Sequence, residues 1–198
     1  MLSRLQMVNR ILSFNGLGAL TSLDGTVGSG YSSDVERLLD DENREVQNDN
    51  SWSVTQRRNV TLTPDTTTKE IVVPAGATVT AVFGESAHLD VVQVGNKLYD
   101  QKNNTYQFDD TIKVSVNLLF APECIPEHIQ ALVVARAAKR YCEFRRDGQL
   151  YQTIEKRERD AYAKARRVDS DIKQPSVEDQ PRTMRIRGHY IPLGRRST

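Results

Sequence analysis

The chain is short of the residues that staple, span or catalyse. Its two cysteines, Cys124 and Cys142, are too few for a disulfide framework in 198 residues. Two reduced thiols are the expected state. Apolar runs are brief: LLFA at 118–121 ends at Pro122, so nothing approaches membrane-spanning length. The amino terminus also lacks the long apolar stretch of a secretory signal. The three histidines, His88, His128 and His189, stand far apart and form no HExxH pattern, and Cys124 near His128 does not define a zinc site. Neither a phosphate-loop nor a nucleophile-elbow motif occurs. GTVGSG at 25–30 follows a helix end and a polar loop rather than a strand, so it reads as a connection and not a cofactor loop. Asp40, Asp41 and Glu42 project in successive helical directions, whereas catalytic carboxylates must converge. No enzymatic activity, cofactor or metal is expected.

Net charge is also small, at +1, but it is unevenly spread. Residues 1–50 carry four basic and eight acidic groups, and residues 51–125 carry six and eight. The balance then reverses, with eleven against eight over 126–172 and six against two over 173–198. The carboxyl-terminal third is therefore the electropositive part, suited to an acidic partner or nucleic acid. The low total argues against a tight, phosphate-saturating DNA binder.

What is present is a regular alternation of periodicities. Leu5, Val8 and Leu12, with Ile11 beside them, mark a first helix that should stop at Gly16 or Gly18. Ser33 and Glu36 have capping-box spacing ahead of a second helix marked by Val35, Leu38, Leu39, Glu42 and Val46. From Trp52 the pattern changes to short β-like runs, namely VTLTPD, EIVVPAG, VTAVF, LDVVQVG, KLYD and IKVSVNLLF. Gly95–Asn96 fits a tight turn between VVQV and KLYD. Helical periodicity returns at Pro126, placed here at the first helical position, with Ile129, Val133, Ala137, Tyr141 and Phe144 on one stripe. Gly148 marks its end. A second long helix, from about 150 to 172, carries Leu150, Ile154, Ala161, Ala165, Val168 and Ile172, and the short loop makes the pair an antiparallel hairpin. The tail from 173 has three prolines and no clean rhythm, and reads as an extended basic arm, either docked on a neighbouring surface or free.

These readings divide the chain into a helical part over 1–50, a β-rich insertion over 51–123, a helical hairpin over 124–172 and an arm over 173–198. The class is α+β, with a mainly helical body. Mixed charge on the hairpin has an ordinary reading, a solvated surface with intramolecular or intersubunit pairs such as Glu155–Arg159, Asp160–Lys164 and Glu143–Arg146.

The order of VNRILSFNGLGALTSLDG, VERLLDDENREVQ followed by SW, VTLTPD, VVQVGNKLYDQKNNTYQFDD and PECIPEHIQALVVARAAKRYCEFR resembles the tail tubular protein A family. These are head-to-tail adaptors of short-tailed bacteriophages, and the likeness covers most of residues 8–150. It implies a virion protein of the tail or neck, made in the host cytoplasm. It further implies a twelve-subunit ring between portal protein and tail nozzle protein, with non-specific passage of double-stranded DNA and no membrane or cofactor. On this resemblance Ile129, Val133, Ala137, Tyr141 and Phe144 pack the hairpin on the first helices, and Trp52 seals the junction with the insertion. Arg136, Lys139, Arg140, Arg145, Arg146, Lys156, Arg159 and Lys164 become a channel or intersubunit surface. Arg182, Arg185, Arg187, Tyr190 and Leu193 become the portal-docking contacts of the arm. The competing readings are another neck connector or stopper protein and a small DNA-binding regulator.

Overall fold

The computed structural model describes residues 1–23, 31–49, 52–83 and 89–173. It is an α+β chain. The helical body holds α1 (Arg4–Phe14), α2 (Tyr31–Asp49), α3 (Glu127–Arg145) and α4 (Gly148–Lys173). Between α2 and α3 lie β1 (Gln56–Leu62), β2 (Ala77–Phe83), β3 (Val91–Val94), β4 (Lys97–Asp100), β5 (Ile112–Leu118) and a short 3-10 turn at Pro122–Cys124. Among the described residues no helix is long and apolar enough to cross a membrane.

Both ends of α1 are chemically fixed. Ser3 Oγ accepts the Gln6 amide at 3.3 Å while Gln6 Oε1 accepts the Ser3 amide at 2.9 Å, a reciprocal cap. At the other end Gly16 takes φ +68°, and the amides of Gly16 and Leu17 donate to Ser13 and Leu12 carbonyls. Glycine meets that left-handed turn without Cβ strain. Helix α2 begins at Tyr31, so Ser33 lies inside the first turn and does not cap it. Glu42 sits with Val35, Leu39 and Val46 on the buried side, only 2% exposed, together with Asn43 and Gln47.

Helix α3 is the centre of the body. It packs against α1, α2 and α4. Ile129, Val133, Ala137 and Tyr141 are buried, and so are Leu132, Val134, Ala135, Ala138 and Cys142. A helix apolar on nearly every side is one enclosed by neighbours. Phe144 departs from the expected stripe: it is 81% exposed. Periodicity aims it inward, but α1 has already ended, and the residue beyond it, Asn15, is hydrogen-bonded to α3 at Ala138 and Arg145. The last turn of α3 thus overhangs its partners. Ile172, at 61% exposure, overhangs the end of α4 in the same way.

The hairpin turn also differs from expectation. Pro126 caps α3 instead of opening it, and the reversal occurs at Arg146, with φ 56° and ψ 35°, two residues before Gly148. The amides of Arg146 and Asp147 donate to Glu143 and Cys142 carbonyls, closing the same motif that glycine closes in α1. Asp147 Oδ1 then accepts the Leu150 amide at 3.2 Å and starts α4 at Gly148.

In the insertion, β5 is central and antiparallel to both neighbours, in the order β1-β5-β2, and β3 and β4 form a separate hairpin. Val94 pairs with Lys97 around Gly95, whose φ is +63°. The stretch EIVVPAG forms only isolated bridges, Glu70 with Gln107 and Val72 with Lys97. Leu62, Ile71, Val73, Leu98, Phe108, Ile112, Val114 and Val116 make a second core, distinct from the helical one. Trp52 belongs to the helical core, fully buried, and its indole N–H donates to the Val46 carbonyl at 2.8 Å.

Where the chain re-enters the body, polar side chains hold it. The Gln47 amide accepts from the Phe120 N–H at 2.9 Å and donates to its carbonyl at 2.8 Å. Asn43 donates to the same carbonyl at 2.8 Å, and Asn117 Nδ2 donates to the Gln47 carbonyl at 2.7 Å. Thr55 Oγ1 donates to Asn117 Oδ1 at 2.7 Å, linking the outgoing strand to the returning one.

Two expectations follow. Arg146→Gly relieves a left-handed side chain and should stabilise the protein by about 0.5–1 kcal/mol, read as a higher urea midpoint; an unchanged or lower midpoint contradicts the strain. Gln47→Leu keeps the volume but strands the Phe120 amide, and should cost about 2 kcal/mol in the same assay; a neutral result removes the clamp from the stability argument.

Candidate functional site

The basic residues of the hairpin fall into two groups. Those on α3 mostly face carboxylates of the same chain. Arg140 Nε lies 2.5 Å from Glu42 Oε1, off the line of a hydrogen bond, and its Nη2 reaches Glu45 at 2.7 Å. Arg136 bridges Asp49 on α2 at 3.2 Å and Glu158 on α4 at 3.3 Å, and Lys139 adds a second contact to Glu158 at 3.0 Å. Arg145 donates to the Asn15 carbonyl at 3.1 Å, and Arg146 is the reversal residue itself. Glu45, Arg136, Lys139, Arg140, Glu143 and Glu158 line, with Glu42, one groove where α2, α3 and α4 meet. Opposite charges alternate across it, so it is an internal electrostatic seam.

The cations of α4 are placed differently. Arg159 pairs with Glu155 at 2.9 Å along the helix, while Arg157 stacks 4.5 Å from the Phe14 ring and Arg166 lies 5.7 Å from the Trp52 ring. Lys156, Lys164 and Arg167 are exposed, with no ion-pair partner among the described residues. Neither Asp160–Lys164 nor Glu143–Arg146 closes as a pair, although Glu155–Arg159 does. The exposed face at 156, 159, 163 and 167 follows helical spacing and carries three cations.

Three further polar groups organise the body without having stood out in the sequence. Arg4 reaches Glu36 at 3.3 Å, Asp40 at 2.5 Å and Glu123 at 3.4 Å, tying α1 to α2 and to the turn before α3. The hydrogen bond to Asp40 raises the guanidinium pKa further above its ordinary value. Gln130, fully buried, accepts the Leu2 amide at 2.9 Å and donates to the Pro122 carbonyl at 2.8 Å. Asp169 accepts both the amide and the hydroxyl of Ser53, at 2.7 and 2.6 Å, and so anchors the end of α4 beside Trp52. The signal for these was present only as polar residues at core angles.

The sequence assigns no chemical role to the cysteines, the histidines or the acidic residues. Cys124 is exposed and Cys142 buried, and both are free thiols. His128 is half-buried, and burial lowers its pKa. Asp109 is occupied by Lys69 at 2.5 Å. Among the described residues no group of three His, Cys, Asp or Glu side chains is arranged to hold a metal. His88, His189, the 25–30 loop and the arm residues Arg182, Arg185, Arg187, Tyr190 and Leu193 lie outside the described residues.

Among the described residues, Glu42 is a carboxyl whose titration burial shifts strongly. Burial pushes its pKa up to about 6, against the pull of Arg140 and with a further push from Glu45. The folded state therefore holds this proton more tightly than the unfolded chain does. Its contribution favours folding below about pH 4.5 and is lost as pH rises through 6, a swing of about 2 kcal/mol. Glu42→Gln mimics the protonated form. Relative to wild type, its stability should improve by about that amount between pH 4 and 7.5, measured by urea unfolding across the range. A constant difference would show that the carboxyl titrates normally.

A sequence profile of the tail tubular protein family matches residues 5–175, from the first turn of α1 to just beyond α4. A search of curated proteins gives no match. The profile spans the body, the insertion and the hairpin together, so it is the whole arrangement of elements that is matched. The chain belongs to the tail tubular protein family.

Proposed function

We propose that this tail tubular protein, a structural component of a phage tail, works as a head-to-tail adaptor. About a dozen copies would close a ring between the portal and the tail nozzle, with the genome passing through the middle and no chemical step performed. Closed rings use one repeated heterologous contact, which a rigid subunit with two different flanks can supply. The observation that carries this reading is the division of the hairpin's charge. Helix α3 sets Arg136, Lys139 and Arg140 against α2 and α4 carboxylates. Helix α4, about 39 Å long at 26 residues, keeps Lys156, Arg159, Lys164 and Arg167 on the outside.

A few cations interrupted by Asp160 suit transient contact with a passing duplex. They are too few and too mixed to grip it, because affinity grows with each phosphate neutralised. The assignment of channel residues accordingly narrows to the α4 set. Arg136, Lys139 and Arg140 serve as the internal seam. Trp52, Ser53 and Asp169 hold the end of α4, from which the basic arm sets out. Docking of that arm on the portal is the second part of the proposal.

The decisive comparison is electron microscopy and particle mass of the full chain mixed with its portal, beside a chain cut after Ile172. The full chain should add a ring to the portal. The cut chain should keep its thermal unfolding temperature and lose most of the portal-bound mass. Equal mass with and without the arm would eliminate the docking role. A chain that stays monomeric with portal and nozzle present, yet binds duplex tightly, would favour the regulator reading.

A further inference from the structure

We propose that the outer face of the three-stranded sheet is a docking site for a carboxylate-bearing segment of another protein. The three strands read QRRNVTL, ATVTAVF and IKVSVNL. They hold Arg57, Arg58 and Lys113 and not one Asp or Glu. The contrast is with α3, where Arg136, Lys139 and Arg140 all meet carboxylates of the same chain. On the sheet the positive charge has no carboxylate partner among the described residues.

The same face is indented at a defined place. Strand β1 gains an extra residue between Arg57 and Val60, where Asn59 takes φ 56°, and β2 gains one between Val79 and Ala81. Both irregularities lie opposite Val114–Val116, so both neighbours bulge around the middle of β5. Bulges bend a strand and re-aim its side chains. Between these two opens a groove of about 570 Å³, whose walls include Gln56, Arg58, Thr80, Phe83 and Ser115.

Ser115 gives the groove its chemistry. It is 1% exposed, and its hydroxyl has no hydrogen-bond partner among the described residues. A buried hydroxyl left so is costly, and a ligand that accepts its proton removes the cost. Beside it the Arg58 guanidinium is oriented by Gln56 Oε1, which accepts from Nε and Nη2, each at 3.3 Å. A guanidinium and a hydroxyl together suit a carboxylate, which accepts from both. The partly exposed Phe83 ring supplies an apolar wall for the stem of such a residue.

Nucleic acid fits this face poorly. Arg58 and Lys113, the two cations on the side of Ser115, release few counterions, and one ring cannot stack successive bases. A second copy fits poorly as well, because the acidic helix α2 has most of its carboxylates engaged. Glu36 and Asp40 hold Arg4, Glu42 and Glu45 hold Arg140, and Asp49 holds Arg136. The partner is therefore a different chain with an acidic, partly apolar segment. Its place in the tail rests on the adaptor reading; the chemistry of the groove does not.

The test is fluorescence anisotropy of the full chain with a labelled peptide of alternating Glu and Val, beside labelled single-stranded and duplex DNA. The peptide should bind saturably and less tightly in high salt. Arg58→Gln should weaken it about tenfold and Ser115→Ala about fivefold. Ser115→Ala removes an unpaired hydroxyl, so its unfolding temperature should be unchanged or higher, which separates lost binding from lost folding. Unaltered affinity in both variants, DNA bound as tightly as the peptide, or peptide binding that merely follows self-association would each overturn the proposal. If the peptide fails while the chain still rings a portal, only the groove is refuted; if it binds to a chain that never joins a portal, only the adaptor reading is.

Discussion

The fold turns on one side chain returning a long excursion to its starting point. Some seventy residues separate Gln47 from Phe120, and the Gln47 amide bonds both backbone groups of Phe120 as a neighbouring strand would. Without it, the segment between β5 and the 3-10 turn would lie against an apolar body with its amide unpaired and its carbonyl held by Asn43 alone. With it, the end of the insertion is registered against α2, and α3 begins at a fixed height. Asn43, Asn117 and Thr55 extend the same network, so the two chain crossings between body and insertion share their hydrogen bonds. Such a network fixes position more sharply than apolar packing, which tolerates sliding.

That registration explains how charge is distributed. Because α3 is held between α2 and α4, its cations meet carboxylates on both sides, and each long side chain has a partner within reach. The seam carries a cost in Glu42, whose burial exceeds what Arg140 returns. Half-exposed pairs contribute little individually to stability. Their effect is geometric: they orient α4 so that its remaining cations point outward.

Much of the fold was legible from periodicity. The two early helices, the β3–β4 turn at Gly95, and the long hairpin were all visible as changes of period. What periodicity could not convey was the length of the neighbour. Phe144 sits on the right stripe but beyond the end of α1, so its ring meets solvent. Nor does composition tell a ladder from a bridge: EIVVPAG is as β-like as IKVSVNL, yet only the latter has strands on both sides. Gly148 drew the turn two residues late, because Arg146 accepts a conformation that glycine takes more easily. Of the candidate surface, the sign of each residue was readable and its partner was not. Arg136 and Lys156 look alike in sequence, but one is enclosed between two carboxylates and the other is open to water. Asn43, Gln47 and Asp169 were missed for a related reason, since their partners are backbone groups distant along the chain.

An adaptor of the kind proposed, packed beside copies of itself, would also have to control its sheet edges. Exposed edges pair indiscriminately and would link subunits in the wrong way. Here the free edge of β2 is occupied from within the chain: Gln93 Oε1 accepts the Val79 amide at 2.8 Å and its Nε2 donates to the Ala77 carbonyl at 3.2 Å. The edge of β1 is broken by the bulge at Asn59 and guarded by Arg57 and Arg58. Backbone pairing is thereby suppressed on both sides, and recognition is left to side chains on faces. The bulge that spoils β1 as an edge is also one wall of the groove over Ser115, so a single irregularity both prevents unspecific pairing and shapes a specific contact.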